Sequence, residues 1–177
     1  FRNSIGYYFR KFEFNASIYY LVREWGYWFH GYNIIQTAGW LLGVVSFLII
    51  MIISFSQWSI VHSPRRKPQG TNQSTINSGP STNDNGLFVA LTFVLLTYFL
   101  FTTTLHPWYI TTLLVLSIFT EFRFVLLWTA LIFLTYAGYS MDGFQENLWL
   151  VAIEYISVLG YLAFELLWRR KESLLPS

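Results

Sequence analysis

Residues 34–58 hold the feature that most narrows what this chain can fold into: Gly39-Trp-Leu-Leu-Gly43 and Leu48-Ile-Ile-Met-Ile-Ile53 follow one another without a charge. At about 1.5 Å per residue, a helix of this length exceeds the roughly 30 Å hydrocarbon core of a bilayer. Composition argues against a buried helix of a soluble domain. Only 11% of residues are charged and 54% are hydrophobic, whereas a soluble domain carries roughly 25% charge. Such a chain lacks the polar residues to cover a water-facing surface.

Further apolar stretches follow at 87–105, 110–119, 124–139 and 148–168. The second of these is short for a crossing unless Trp108 and Tyr109 are counted or the bilayer is locally thin. The expected fold class is all-α, a polytopic transmembrane helix bundle of about five spans with a short interfacial helix near the N-terminus. The expected organisation is an outer-face interfacial segment at 1–33, a transmembrane span at 34–60, a disordered cytoplasmic linker at 61–86, transmembrane helices at 87–168 and a basic cytoplasmic tail at 169–177. In the interfacial segment Ile18, Leu21, Val22 and Trp25 share one helical face. Asn15 is placed to cap that helix and Gly26 to end it. The linker is rich in Ser, Thr, Asn, Gln and Gly and contains nothing that could form a core. Gly39 and Gly43 form a small-xxx-small pair, a pattern of close helix contacts.

The basic clusters Arg65, Arg66, Lys67 and Arg169, Arg170, Lys171 set the topology. By the positive-inside rule both lie in the cytoplasm. Segment 1–32, the His106 turn and the loop 140–147 then share the outer face, and the C-terminus is cytoplasmic. The chain opens at Phe1 with no signal peptide before the first apolar run. The expectation is the C-terminal piece of a longer polytopic protein whose upstream helices pack against it. The net charge of +2 gives no reason to expect nucleic acid, and the absence of cysteine removes disulfides and thiolate chemistry. No metal-ligand spacing, glycine-rich phosphate loop or nucleophile elbow is present.

Chemistry concentrates in few residues. Pro107 biases His106 away from helix, leaving an imidazole at a lipid–water boundary, able to hold a phosphate or relay a proton. The same residues also read as an interfacial turn with Trp108 and Tyr109 as an aromatic belt. Glu154 and Glu165 lie inside the last apolar stretch, where an ionisable group marks a functional hypothesis. Glu165 can pair with Arg169 four residues on; Glu154 has no such partner in its own helix. Glu13, Asn15, Arg23, Asp142 and Glu146 are polar groups of the outer face, each structural or solvated taken singly. With His106 they could line one cavity, since carboxylates and amides suit sugar hydroxyls.

At Thr102-Thr-Thr-Leu-His-Pro-Trp-Tyr109 the chain resembles multi-spanning bacterial glycosyltransferases of the GT-C class, especially those called mannosyltransferases. Phe12-Glu-Phe-Asn-Ala-Ser-Ile-Tyr-Tyr-Leu-Val-Arg23 is similar to a segment before their last helices. Tyr136-Ala-Gly-Tyr139, Glu146-Asn-Leu-Trp149 and Glu154-Tyr155 fit the same tail. The resemblance covers most of the chain except the linker. It implies a polyprenyl-phosphate sugar as donor, an extracytoplasmic acceptor, residence in a bacterial inner membrane, and inversion with an acidic base. The base of that class lies in a first outer loop that has no counterpart here, so the catalytic residue is unassigned. The implied substrate-binding residues are His106, Tyr109, Glu13, Asn15, Arg23 and Glu154, with no metal and no cofactor beyond the lipid-linked donor. Two rival classes share the composition: a non-enzymatic component such as a transporter or assembly subunit, and a flippase or ligase for lipid-linked polymers.

Overall fold

The computed structural model describes residues 13–62, 82–140, 143–144 and 147–174. Asp142 and Glu146, the cluster Arg65, Arg66 and Lys67, and the disorder expected of 63–81 lie outside the described residues. Among the described residues the regular structure is helical apart from one ladder of two-residue strands and an isolated Phe14–Thr104 bridge. In order come α1 (Ile18–His30), α2 (Ile35–His62), α3 (Thr82–Phe101), a 3-10 turn (Pro107–Tyr109) leading into α4 (Ile110–Ser117), and α5 (Phe124–Leu131), which continues as 3-10 helix (Ile132–Gly138). Strands β1 (Tyr139–Ser140) and β2 (Gly143–Phe144) pair antiparallel, Tyr139 with Phe144, before α6 (Leu148–Leu174). From α2 onward each helix packs on the next, and α1 leans on α2 and α3.

Among the described residues two helices are long and apolar enough to cross a membrane, over Thr37–Ser56 and Leu148–Lys171. Only 17% of the first apolar window and 33% of the second are buried, unlike the core helix of a soluble protein. The stretches Gly86–Phe101, Pro107–Ser117 and Phe124–Gly138 are shorter, so length alone supports two of the five expected spans. The last of them gains reach by changing its winding. Its seven closing residues are 3-10 helix, which rises about 2.0 Å per residue, so the whole stretch reaches about 26 Å rather than about 22 Å.

Helix ends depart from the sequence expectation where polar residues continue a helix. Helix α2 extends to His62 and α3 starts at Thr82, so both ends of the expected linker 61–86 are helical. Helix α6 carries Arg169, Arg170 and Lys171 within its own end, where cations complement the helix dipole. Helix α1 ends at Gly31, which takes the left-handed conformation (φ 75°) and donates its N–H to the Tyr27 carbonyl at 3.1 Å. Gly26, the expected terminus, is interior. A Cβ there would meet the Ile34 side chain at 2.7 Å, so glycine lets the chain fold back closely onto α1.

The expected apolar stripe of α1 is divided: Ile18 and Val22 pack against the core, while Leu21 and Trp25 are exposed. Tyr19, Tyr20 and Gly26 are its buried residues, and the Arg23 side chain is only 18% exposed. Leu21, Trp25, Trp28 and Phe29 point outward, with Trp28 at 86% exposure.

Glu165 also has another partner than expected. It accepts hydrogen bonds from the backbone N–H groups of Arg123 (2.8 Å) and Phe124 (3.1 Å). These are donors that the start of α5 cannot satisfy within its own helix. Arg169 instead binds Glu121 at 3.1 Å and lies 4.5 Å above the Phe122 ring. A carboxylate placed at a helix N-terminus satisfies its amides and complements its dipole. Glu165→Ala should therefore lower stability by about 2 kcal/mol, whereas Glu121→Ala, at an exposed pair, should change it by less than about 1 kcal/mol. Thermal unfolding in detergent micelles measures both.

Candidate functional site

The six expected site residues fall into three pairs, and one tripeptide connects them. Phe14 enters between other elements by pairing in parallel with the segment after α3. Its N–H donates to the Thr103 carbonyl (3.2 Å) and its carbonyl accepts from Leu105 N–H (2.8 Å). Ser17 Oγ donates to the Leu100 carbonyl at 2.8 Å, which fixes the entry to α1. This irregular stretch is buried, with Phe14 at 1% and Asn15 and Ala16 at 0% exposure, so its backbone groups need such partners. Asn15 adopts φ 46°, a left-handed conformation that asparagine tolerates better than most residues.

Glu13 leads the first pair. Its Oε2 accepts from Arg23 at 2.7 Å, and its Oε1 accepts from Tyr19 Oη and Asn33 Nδ2, each at 2.6 Å. The Tyr19 hydroxyl also points at Asn33 Oδ1, 2.9 Å away, which in turn accepts from Ile35 N–H at the start of α2. Arg23 reaches Glu24 at 3.2 Å and stacks 4.6 Å above Tyr20. Burial works to discharge the guanidinium. The hydrogen bonds and charges of Glu13 and Glu24 outweigh it and hold Arg23 above its ordinary range. Burial, then the Glu13 carboxylate, push the Tyr19 phenol far up, so it stays a donor.

Asn15 leads the second. Its Nδ2 donates to both oxygens of Glu154, at 3.1 and 3.3 Å, and Trp128 Nε1 donates to Oε1 at 2.8 Å. Tyr155 Oη donates to the Asn15 carbonyl at 2.8 Å. Glu154 is 1% exposed. Asn15 is therefore not the cap of α1, where Ser17 stands in the capping position. Nor does Glu154 face an open cavity: both residues are closed off from solvent, and they bear on any site through the segment they hold.

Phe14 leads the third. His106 lies between Trp108, stacked at 4.3 Å and 7°, and Phe14, tilted at 4.8 Å, with the Tyr109 ring edge-on at 5.6 Å. Its backbone is extended (φ −81°, ψ 147°) ahead of Pro107, as proline requires of its predecessor. Burial lowers the His106 pKa from its ordinary value, so the ring is neutral near pH 7 and offers one donor and one acceptor nitrogen. Trp108 and Tyr109 remain 58% and 39% exposed. The arrangement is an aromatic platform beside a neutral imidazole, suited to stacking a ring and hydrogen-bonding a hydroxyl rather than to holding an anion by charge.

Sequence reasoning missed Tyr19, Asn33, Trp128, Tyr155 and Phe14. Asn33, two residues before a helix start, carries a capping signal that could have been found. Phe14, Trp128 and Tyr155 join partners far along the chain, and Tyr19 joins Glu13 and Asn33 across a helix boundary; none carries a local signal. Among the described residues no group of three or more His, Cys, Asp or Glu could hold a metal ion. Comparison with family models, curated proteins and solved structures finds no match.

The amide of Asn15 gives a direct test of the buried network. Asn15→Ala removes two hydrogen bonds from a carboxyl with no access to water and should cost about 2–3 kcal/mol. Asn15→Asp, nearly isosteric, sets two carboxyls face to face and should be the more destabilising variant; equal thermal stability of the two would refute the assigned contact. His106 gives a second test, through pH. Its folded pKa lies below its unfolded value of about 6.5, so the folded chain binds the proton less readily. That contribution to stability is complete above about pH 6.5 and is lost as pH falls through and below that value. His106→Phe keeps the stack and should flatten the dependence of Tm between about pH 7.5 and about pH 5.5.

Proposed function

We propose that the chain is a membrane-embedded portion of a glycosyltransferase that moves a sugar, mannose foremost, from a lipid-phosphate donor to an extracytoplasmic acceptor. The observation that carries the reading is the tripeptide Glu13-Phe14-Asn15, which gathers an ion pair and an aromatic platform beside the turn that resembles such enzymes. In this proposal all five helices from α2 to α6, the three shorter ones included, cross a bacterial inner membrane. Helix α1 lies in the outer interface with Leu21, Trp25 and Trp28 towards lipid, and the C-terminus is cytoplasmic. Trp108 and Tyr109 stack the sugar, and neutral His106 donates to a hydroxyl or phosphate oxygen. Glu13 and Arg23 flank the platform, while Asn15 and Glu154 act at one remove by holding its floor. The catalytic base is not assigned to any of them.

A second reading, a non-enzymatic component such as a transporter or assembly subunit, is favoured by one observation. The interior polar groups satisfy one another: Glu13 binds Arg23, and Glu154 binds Asn15 and Trp128. Transfer of labelled mannose from polyprenyl-phosphate mannose, measured in membranes holding the full-length protein, separates the two. Under the transferase reading His106→Ala and Trp108→Ala each lower kcat/KM by about tenfold or more, and His106→Phe does not restore it. Absence of transfer by the unmodified protein would favour the second reading, and unchanged transfer by both variants would remove the turn from the site.

A further inference from the structure

Glu165 and Arg169 fasten the turn between α4 and α5 onto the last turns of α6. Glu165 receives the Arg123 amide at 2.8 Å, and Arg169 binds Glu121 at 3.1 Å beside the Phe122 ring. One end of the bundle thereby holds cations from two distant segments on a fixed scaffold: Arg123 on the turn, and Arg169, Arg170 and Lys171 on the helix. Most of the acids there are engaged. Glu121 serves Arg169, and Glu165 is buried on backbone amides; Glu172 is the remaining one by sequence. The Arg123 and Lys171 side chains are exposed, and among the described residues neither has an acidic partner.

Apolar surface lies beside these cations. Phe164, Trp168 and Lys171 follow one another at i, i+4 and i+7, on one face of α6. Phe164 and Trp168 are 55% and 54% exposed, with their rings 5.9 Å apart. An exposed aromatic ridge thus leads along the helix to an exposed cation. A neutral lipid would cover the ridge and leave the cations unbalanced. A free phosphate would balance the cations and leave the ridge bare. An anionic phospholipid satisfies both, since basic sites at helix ends take acidic headgroups while the acyl chain lies on apolar side chains. We infer that the junction of the 121–123 turn with the end of α6 binds an anionic phospholipid, Arg123 and Lys171 at its headgroup and Phe164 and Trp168 along its chain. This rests on the membrane reading proposed above and on no enzymatic activity.

Carbonate extraction of native membranes comes first: release of the chain defeats the membrane reading and this inference with it, whereas retention leaves the lipid measurement to decide. The full chain is then reconstituted in phosphatidylcholine vesicles holding a trace of spin-labelled phosphatidylglycerol or of spin-labelled phosphatidylcholine. The immobilised fraction of each label gives its relative affinity. Phosphatidylglycerol should be favoured by about fivefold or more. Arg123→Gln combined with Lys171→Gln, both at exposed positions, should bring the two labels to near parity. Arg65→Gln, Arg66→Gln and Lys67→Gln together, which remove more charge elsewhere, should leave the preference in place. Glycerol phosphate, a headgroup without chains, should not displace the label. A retained chain with no preference, a preference that survives the Arg123 and Lys171 changes or falls equally with the linker changes, or displacement by glycerol phosphate would each overturn the inference.

Discussion

The buried contact between the Asn15 amide and the Glu154 carboxyl is the constraint on which the rest of this structure depends. A carboxyl at 1% exposure needs donors wherever it is placed. Here they come from two directions, the α5 residue Trp128 and the irregular segment before α1. Satisfying Glu154 therefore requires that segment to enter the bundle. Once it has entered, its neighbours have little freedom: Phe14 falls against His106 and Glu13 against Arg23. The geometry of the candidate site follows from a hydrogen bond that is not part of its surface.

The chain turns the usual distribution of polarity outside in. Trp28, Trp40, Ile52 and Trp149 are exposed while Glu154, Asn15 and Glu165 are buried. In water that arrangement would leave large apolar patches uncovered. In the proposed bilayer it is the stable one, because hydrocarbon cannot serve the polar groups and only other protein atoms can. The same logic accounts for the irregular backbone at Phe14 and Asn15, whose peptide groups bond to Thr103, Leu105 and Tyr155. It accounts equally for α5, whose first amides are served by a carboxylate from α6.

What the sequence disclosed was the part governed by local rules. Apolar runs marked the helices, and Pro107 marked the turn and the extended backbone of His106. Helix ends were harder to read, because α2 and α6 continue through polar residues whose own propensities suffice. Gly26 and Gly31 look alike as letters. Only the second has a left-handed backbone, while the first is glycine because Ile34 packs against it. Glu165 was matched to Arg169 by four-residue spacing, whereas its amide partners lie 41 and 42 residues away. The three-way division of Glu13, Phe14 and Asn15 was beyond local reading altogether. It depends on a left-handed corner and on partners that no spacing rule connects.

The Asn15–Glu154 bond joins residues 139 positions apart. At a ribosomal pace of roughly 5–20 residues per second, the later partner emerges on the order of 10 s after the earlier one. During that interval the segment lacks its carboxyl acceptor, and for most of it the Trp128 wall as well. What is synthesised early among the described residues is thus completed late, when α6 arrives. A ribosome halted before residue 154 would leave the first segment without its seat, however well the intervening helices had formed. This contact is therefore governed by waiting, with Asn15 held in reserve until Glu154 exists.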